Sequence, residues 1–527
     1  MEPQPTKALY QESMRKLEII KNVGSSWFSL GVNILVGIFL SPFILHRLGD
    51  TAYGIWILIF SITGYYGLFD LGIRSSVVRY VSKFTATGES DRLNLLVNTS
   101  LWSYTLIGAV ALVVTLAGSA AVDSLFRIPP EFLTTARWLF LIVGTAVAIG
   151  FPLGVFGGIL EGLQKFYFLN ITNVIGGLMR ALLIVIALRH GYGLLMLAVI
   201  TVVVPMLINI LRFAIVLRLL PLEFHWRYFN RQSLREMASY SSATFLIMIA
   251  YKLRFKTDEL VIGALLSSAA ITYFSIGDRL LDYASEVVSS LAQIFVPMSS
   301  QSEARGEIDR LRKMLVLGNR ACALIIFPIS LMLLILGKSI IEAWVGARYV
   351  ATSYPVLVVL CIPLTLMLAQ GASPRILFGM ARHHTLSRIV AIEAVSNLVL
   401  SVILIRPYGI IGDALGTAIP LTATALGFFP RHLCRLLEMR VIRFLREAYL
   451  LPVALCTPLV PLLFWLRHGF AAHNYLQLAW QLLIVCAVYG GGLLLTLRMG
   501  NLWKTGELAP ASATGSPVNA SADPAGP

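Results

Sequence analysis

A chain of 527 residues with 57% hydrophobic and 13% charged residues is too apolar for a soluble domain, whose charged fraction is typically about 25%. It reads as an all-α polytopic membrane protein. In such a protein the net charge of +15 matters through where the cations sit, not as a signal for nucleic acid.

The first twenty residues are polar and charged and lead straight into a full-length apolar span, with no cleavable signal, so the chain reads as starting at or near Met1. About fourteen transmembrane helices are expected. They cover roughly 22–45, 51–73, 98–118, 135–157, 168–188, 192–216, 239–265, 270–296, 314–336, 351–372, 386–405, 410–430, 448–466 and 475–497. They group into two pseudo-symmetric six-helix lobes plus two C-terminal helices. The expected organisation is a cytoplasmic segment 1–20, an N-lobe 21–220, an interfacial linker 221–238, a C-lobe 239–435, two extra spans 436–498 and a disordered cytoplasmic tail 499–527.

With the N-terminus inside, inner segments hold 28 of the 42 Lys and Arg. Outer segments hold Arg47, Arg127, Arg137, Arg189, Lys338, Arg348, Arg406 and Arg467. This asymmetry places both termini in the cytoplasm and accounts for most of the positive charge, leaving no role for nucleic acid. Arg348, on an outer loop, is expected to tolerate alanine. The five cysteines contain no C-x-x-C pair and the eight histidines fall at span ends or in loops, so neither a disulfide framework nor a metal site is indicated.

The first hairpin contains Pro42, Leu48-Gly49, Tyr53-Gly54, Trp56, Asp70-Leu71-Gly72 and Arg79-Tyr80. At its end Asp70 and Arg74 stand four apart, the spacing of a helical ion pair. These motifs resemble the opening of the polysaccharide biosynthesis proteins, the O-antigen-type oligosaccharide flippases of the multidrug/oligosaccharidyl-lipid/polysaccharide exporter superfamily. The resemblance implies two six-helix lobes around a central cavity in the bacterial inner membrane. It also implies a polyprenyl-diphosphate-linked oligosaccharide as substrate, moved from the cytoplasmic to the outer leaflet, with membrane lipid and other polysaccharide assembly proteins as partners.

An internal repeat supports two lobes independently. Gly88-Glu89-Ser90-Asp91-Arg92-Leu93 and Gly306-Glu307-Ile308-Asp309-Arg310-Leu311 differ at one position, and each follows a pair of spans. An offset of six spans makes the repeats parallel.

Between the lobes, 221–235 (PLEFHWRYFNRQSLR) reads as an amphipathic helix on the inner membrane surface or as a plain interfacial linker. Charge then enters the apolar spans: Lys252, Arg254, Lys256, Asp258 and Glu259 in the seventh, Asp278, Arg279, Asp282 and Glu286 in the eighth. A hairpin turning near Ser267 and Ser268 would put Lys252 level with Asp282 and Lys256 level with Arg279, close to the midplane. A cation there costs roughly 2.5 to 3.5 kcal/mol on insertion scales. Three readings stand side by side: the charges line a hydrated cavity, they pair only with one another, or 251–259 is a loop and 260–276 the span. Arg180 in the fifth span shares a stripe with Asn173 and Gly176, and Glu393 with Asn397 forms another in the eleventh.

The candidate substrate-binding cations are Arg180, Lys252, Lys256 and Arg279. The candidate cavity or ion-coupling residues are Asp70, Arg74, Arg254, Asp258, Glu259, Asp278, Asp282, Glu286, Glu393 and Asn397, with H⁺ or Na⁺ as the coupling ion and no cofactor. The longest outer loop offers only Asp123 and Glu131, too little for the acid–base chemistry of a glycosyltransferase or polymerase. A drug or cation exporter of the same superfamily should favour an acidic or apolar cavity, whereas cations within the spans suit a diphosphate or acidic sugar.

Overall fold

The computed structural model describes residues 5–225, 228–232, 234–237, 249, 252, 257–380 and 382–500. Among these no strand occurs, as lipid requires of any segment whose backbone must satisfy itself. The first half comprises α1 (Pro5–Leu48), α2 (Asp50–Gly64), a 3₁₀ turn (Tyr65–Asp70), α3 (Ile73–Thr87), α4 (Ser90–Leu125), α5 (Pro130–Gly162), α6 (Phe166–Arg189) and α7 (Leu194–Leu219). The second comprises α8 (Asp258–Leu265), α9 (Ser268–Ala292), α10 (Phe295–Ala304), α11 (Ile308–Val345), α12 (Val350–Ala369), α13 (Ala372–Gly379), α14 (His383–Ala423) and α15 (Phe429–Leu436). Three further helices follow: α16 (Val441–Cys456), α17 (Leu459–Gly469) and α18 (Tyr475–Arg498).

Eleven stretches of the described residues are long and apolar enough to cross a membrane, which defines a multi-pass integral membrane protein. One of them, Thr385–Leu436, crosses twice. The Ser401 hydroxyl donates to the Asp413 carbonyl at 3.2 Å, whereas twelve residues of straight helix would separate them by about 18 Å. The reversal is at Gly409, whose φ of 59° and ψ of −140° are non-helical. The eighth expected span is α9, too charged to stand among the eleven. Of the seventh, 239–265, only Ile249, Lys252 and 257–265 are described.

The hexapeptide repeat has a structural counterpart. Gly88 and Gly306 both take positive φ, 72° and 68°, and the next residue precedes a long helix in the same conformation, φ −83°, ψ 69° at Glu89 and φ −79°, ψ 66° at Glu307. In each copy the glutamate pairs with the arginine three residues on, 2.9 Å for Arg92 and 3.0 Å for Arg310. The matched motif is therefore one left-handed turn used twice, which L side chains adopt reluctantly. Hydrogen bonding from Thr87 holds the Glu89 carboxyl below its usual range, and from Arg310 the Glu307 carboxyl.

Within the first half α5 packs on α4 and α7, and α6 on α1 and α7; within the second α12 packs on α9, α11 and α14. The halves meet chiefly along α2 and α9. α16 lies on α11, where the Arg320 guanidinium donates to the Glu447 carbonyl at 3.0 Å. α18 is tied to α11 by Tyr489 on the Leu324 carbonyl at 2.6 Å and by His473 on Glu342 at 2.8 Å. The linker departs from the amphipathic-helix expectation over its first residues. Pro221–His225 is not helical, because Asn94 and Asn98 of α4 bond its backbone: Glu223 N to Asn94 at 3.1 Å, Asn98 to the Glu223 carbonyl at 2.7 Å.

Candidate functional site

The geometry follows from α6 and α9, which approach from opposite halves. Arg180 lies nine residues before the end of α6 and Arg279 eleven residues after the start of α9. Both of those ends lie on the face opposite the basic loops, so at the helical rise the two arginines sit at about 14 and 16 Å depth, near the middle of a ~30 Å hydrocarbon layer. They are within electrostatic reach of each other. Arg279 is half exposed despite its depth, at 50% of its side-chain surface. Its guanidinium lies over the Tyr283 ring at 5.6 Å and pairs with Asp282 at 3.6 Å, while Tyr53 of α2 faces it from the other half. Two mid-membrane cations, one from each half and within reach of each other, form the centre of the site.

Around it, the expected residues divide. Lys252 does not meet Asp282: it lies against α2 and the 3₁₀ turn, 3.9 Å from where a Cβ on Gly64 would stand, and its carbonyl accepts from Tyr65 at 3.3 Å. Between Lys252 and α8 the chain bends at Thr257. Arg254 and Lys256 lie outside the described residues. The turn expected near Ser267 and Ser268 is present, and it breaks the alternative span at 260–276. Asp282 and Glu286 stay with Arg279, whereas Asp278 faces a separate buried acidic group.

That group comprises Asp258, Glu259, Asp278 and Asp413, all within electrostatic reach of Asp413. Thr417 donates to both oxygens of Asp258, at 3.1 and 3.2 Å, and lies 3.3 Å from Asn397. Asp413 is fully buried, and among the described residues neither of its carboxylate oxygens has a hydrogen-bond partner. Sequence reasoning passed over it, although a carboxylate in the apolar run Ile410-Ile411-Gly412-Asp413-Ala414-Leu415 was itself the signal. Glu393 stands apart, bonded by Thr424 at 2.6 Å beside a cavity of about 310 Å³. Among the described residues no set of three or more His, Cys, Asp or Glu converges to hold a metal.

Asp70 and Arg74 form no side-chain ion pair, although the Arg74 backbone and charge stay within reach of the Asp70 carboxylate. Leu71 and Gly72 both have positive φ, 51° and 79°, so the helix is broken between them and the four-residue spacing loses its geometry. Asp70 accepts from the Tyr104 hydroxyl instead, and Arg74 reaches Glu161 of α5 at 3.2 Å. A second missed residue is Arg212 in α7, hydrogen-bonded to Thr172 at 3.0 Å, Asn173 at 2.7 Å and Asn209 at 3.3 Å. The Asn173 stripe therefore serves Arg212, while Gly176 packs on Ile208.

The space between the halves is closed at the face opposite the basic loops, through Asp50. Its carboxylate accepts from Tyr273 at 3.1 Å, from Arg348 at 3.0 Å and from Tyr349, and its carbonyl accepts from Thr272 at 2.7 Å. Arg127 N donates to the Gly263 carbonyl at 3.0 Å and Trp344 to the Ile38 carbonyl at 2.7 Å. Arg348, expected to be a dispensable loop cation, is part of this closure: the chain's reversal at Gly346 brings it over Asp50, a contact 298 residues distant in sequence.

Two helical halves meeting along α2 and α9, with arginines between them, have the fold of two-lobed membrane exporters. Solved structures agree: "Lipid II flippase MurJ, inward closed conformation" superposes with a TM-score of 0.68 at 17% identity, over 91% of this chain and 99% of that one. An inward-facing multidrug resistance MATE transporter of the MOP superfamily gives 0.63 at 16%, over 77% and 94%. The chain belongs to the polysaccharide biosynthesis protein family, whose profile matches residues 19–303. It is 22% identical over 416 residues to membrane protein EpsK of Bacillus subtilis (strain 168), across 77% of this chain and 81% of that one. To a Shigella flexneri protein provisionally named as an O-antigen transporter it is 21% identical over 415 residues, across 78% and 96%.

Proposed function

We propose that this protein flips a polyprenyl-diphosphate-linked oligosaccharide from the cytoplasmic to the outer leaflet of the bacterial inner membrane, by alternating access and without covalent chemistry. The observation that carries this is Arg180 and Arg279 at one depth, contributed by opposite halves and within reach of each other, with Arg279 half exposed. A diphosphate is the complementary charge, and guanidinium–phosphate hydrogen bonds are among the strong ones. The drug-exporter reading is disfavoured because Asp258, Glu259 and Asp413 are buried within the second half, leaving the arginines between the halves. With the basic loops cytoplasmic, the Asp50 closure lies on the outer side, and the state described is closed to the outside.

The test is to delete the gene and size the lipid-linked sugars. Complete repeat units should accumulate on the carrier while surface polysaccharide is lost. Truncated units would instead indicate a transferase and single exported units a polymerase, while normal polysaccharide with sensitivity to cationic dyes would make the protein a drug exporter.

Coupling is assigned to Asp413. Its carboxylate is buried with no hydrogen bond among the described residues, a setting in which a carboxyl takes up H⁺ or holds Na⁺. Na⁺ would be held with help from Thr417 and Asn397. In proteoliposomes, Asp413→Asn is expected to remove the response of transport to a pH or Na⁺ gradient while binding of substrate persists. A gradient response equal to that of the unmodified protein excludes Asp413 as the coupling group.

A further inference from the structure

We propose a second anion-binding station, built by Arg212 and Arg74 near the basic face of the first half, where the diphosphate of the flipped lipid docks before it reaches Arg180 and Arg279. The proposal rests on the flippase reading. Arg212 lies seven residues before the end of α7, about 10 Å along the helix from the basic face. Its position inside an apolar helix carries the insertion cost of a cation, yet its three hydrogen bonds go to neutral side-chain oxygens. Among the described residues it has no acidic partner. Two of its five N–H donors remain unused by these bonds. The charge nearest to matter is a second cation, Arg74.

If Arg212 served only to tie α6 to α7, a neutral amide would do so without the cost of the charge. What converges instead is positive charge beside a buried glycine pair of α5. The part of α5 between the two arginines is Gly157-Gly158: a Cβ at Gly157 would stand 3.9 Å from Arg212 Nη1, and one at Gly158 3.4 Å from Val77 Cγ1 of α3 and 3.8 Å from Arg74 Cγ. No side chain of α5 therefore intrudes between them. Glu161, one turn further on, holds Arg74 through a single carboxylate oxygen, Oε2, and is a counter-ion that a diphosphate can displace. Two forked guanidiniums beside a diglycine step suit a group with two adjacent phosphates, each able to take a bidentate pair. Anionic phospholipid offers the same phosphate chemistry singly.

The test uses the full chain purified in detergent, with farnesyl diphosphate as probe, measured by titration calorimetry with phosphatidylglycerol as competitor. Arg212→Gln is expected to weaken binding about tenfold or more, the loss of at least one charge-assisted hydrogen bond, with Arg212→Lys recovering part of it. Gly157→Leu, which keeps Arg212 and fills the diglycine step, should weaken binding too. The double variant Arg180→Gln, Arg279→Gln should still bind the probe but fail to export in cells. Equal binding by wild type, Arg212→Gln and Gly157→Leu overturns the second station and leaves the flippase reading intact. Displacement of the probe by phosphatidylglycerol at comparable concentration makes this a lipid-headgroup site and likewise overturns it. Failure of the wild-type protein to bind farnesyl diphosphate overturns the flippase reading and this inference together.

Discussion

Replacing Gly54 with valine is expected to abolish export while the protein remains folded in the membrane. Gly54 sits in α2 where it crosses the start of α9, and even one added carbon there would overlap the Ser268 carbonyl. Ser268 is backbone held in the tight turn between α8 and α9, so it has no flexible end to yield. The strain is relieved by separating the halves. Overpacking of about 1–3 kcal/mol would shift the balance away from the closed state by roughly 5- to 150-fold. The measurement is the distance between spin labels at Glu131→Cys and Ala351→Cys, in a background with the exposed Cys486 changed to serine: it should lengthen in Gly54→Val. Arg348→Ala, which removes one hydrogen bond to Asp50, should produce a smaller shift in the same direction. An unchanged distance together with normal export would refute the Asp50–Gly54 contact as the closure.

Arg279→Ala is expected to reduce export by about tenfold to a hundredfold, the worth of one hydrogen bond to a charged group, about 1.5–3 kcal/mol. Arg180→Ala should fall in the same range, because in the proposed site each arginine meets the same anion from its own half. Protein level in the membrane is the control, and accumulation of complete lipid-linked units is the readout. Removal of Arg279 also frees Asp282, so Arg279→Ala with Asp282→Ala separates the two roles. Recovery of export in that double variant would make the pair structural and remove Arg279 from the substrate site.

Much of this was legible in the residues. Spans can be read from composition because lipid leaves a buried helix few alternatives, and the hexapeptide repeat was read correctly because its glycine is demanded by a left-handed turn in both halves. Arg180 and Arg279 were found because a cation at mid-depth is costly wherever it points. What failed depended on geometry between distant segments. The Asp70–Arg74 pairing assumed a continuous helix across Leu71 and Gly72. Arg348 looked like any loop cation, because nothing local announces a partner at Asp50. Arg212 and Asp413 carried the same signal as Arg180 and were simply outweighed by the denser charge between Lys252 and Glu286.

The attachment of α16 and α18 to α11 has a mechanical consequence. Rocking is relative motion, and in a viscous film the broader body turns less. The second half, widened by three helices bound through Glu447, His473 and Tyr489, displaces more lipid along its rim than the first. Under the alternating access proposed above, the protein acts as a lever with unequal arms, the second half as the anchor and the first sweeping through most of the angle.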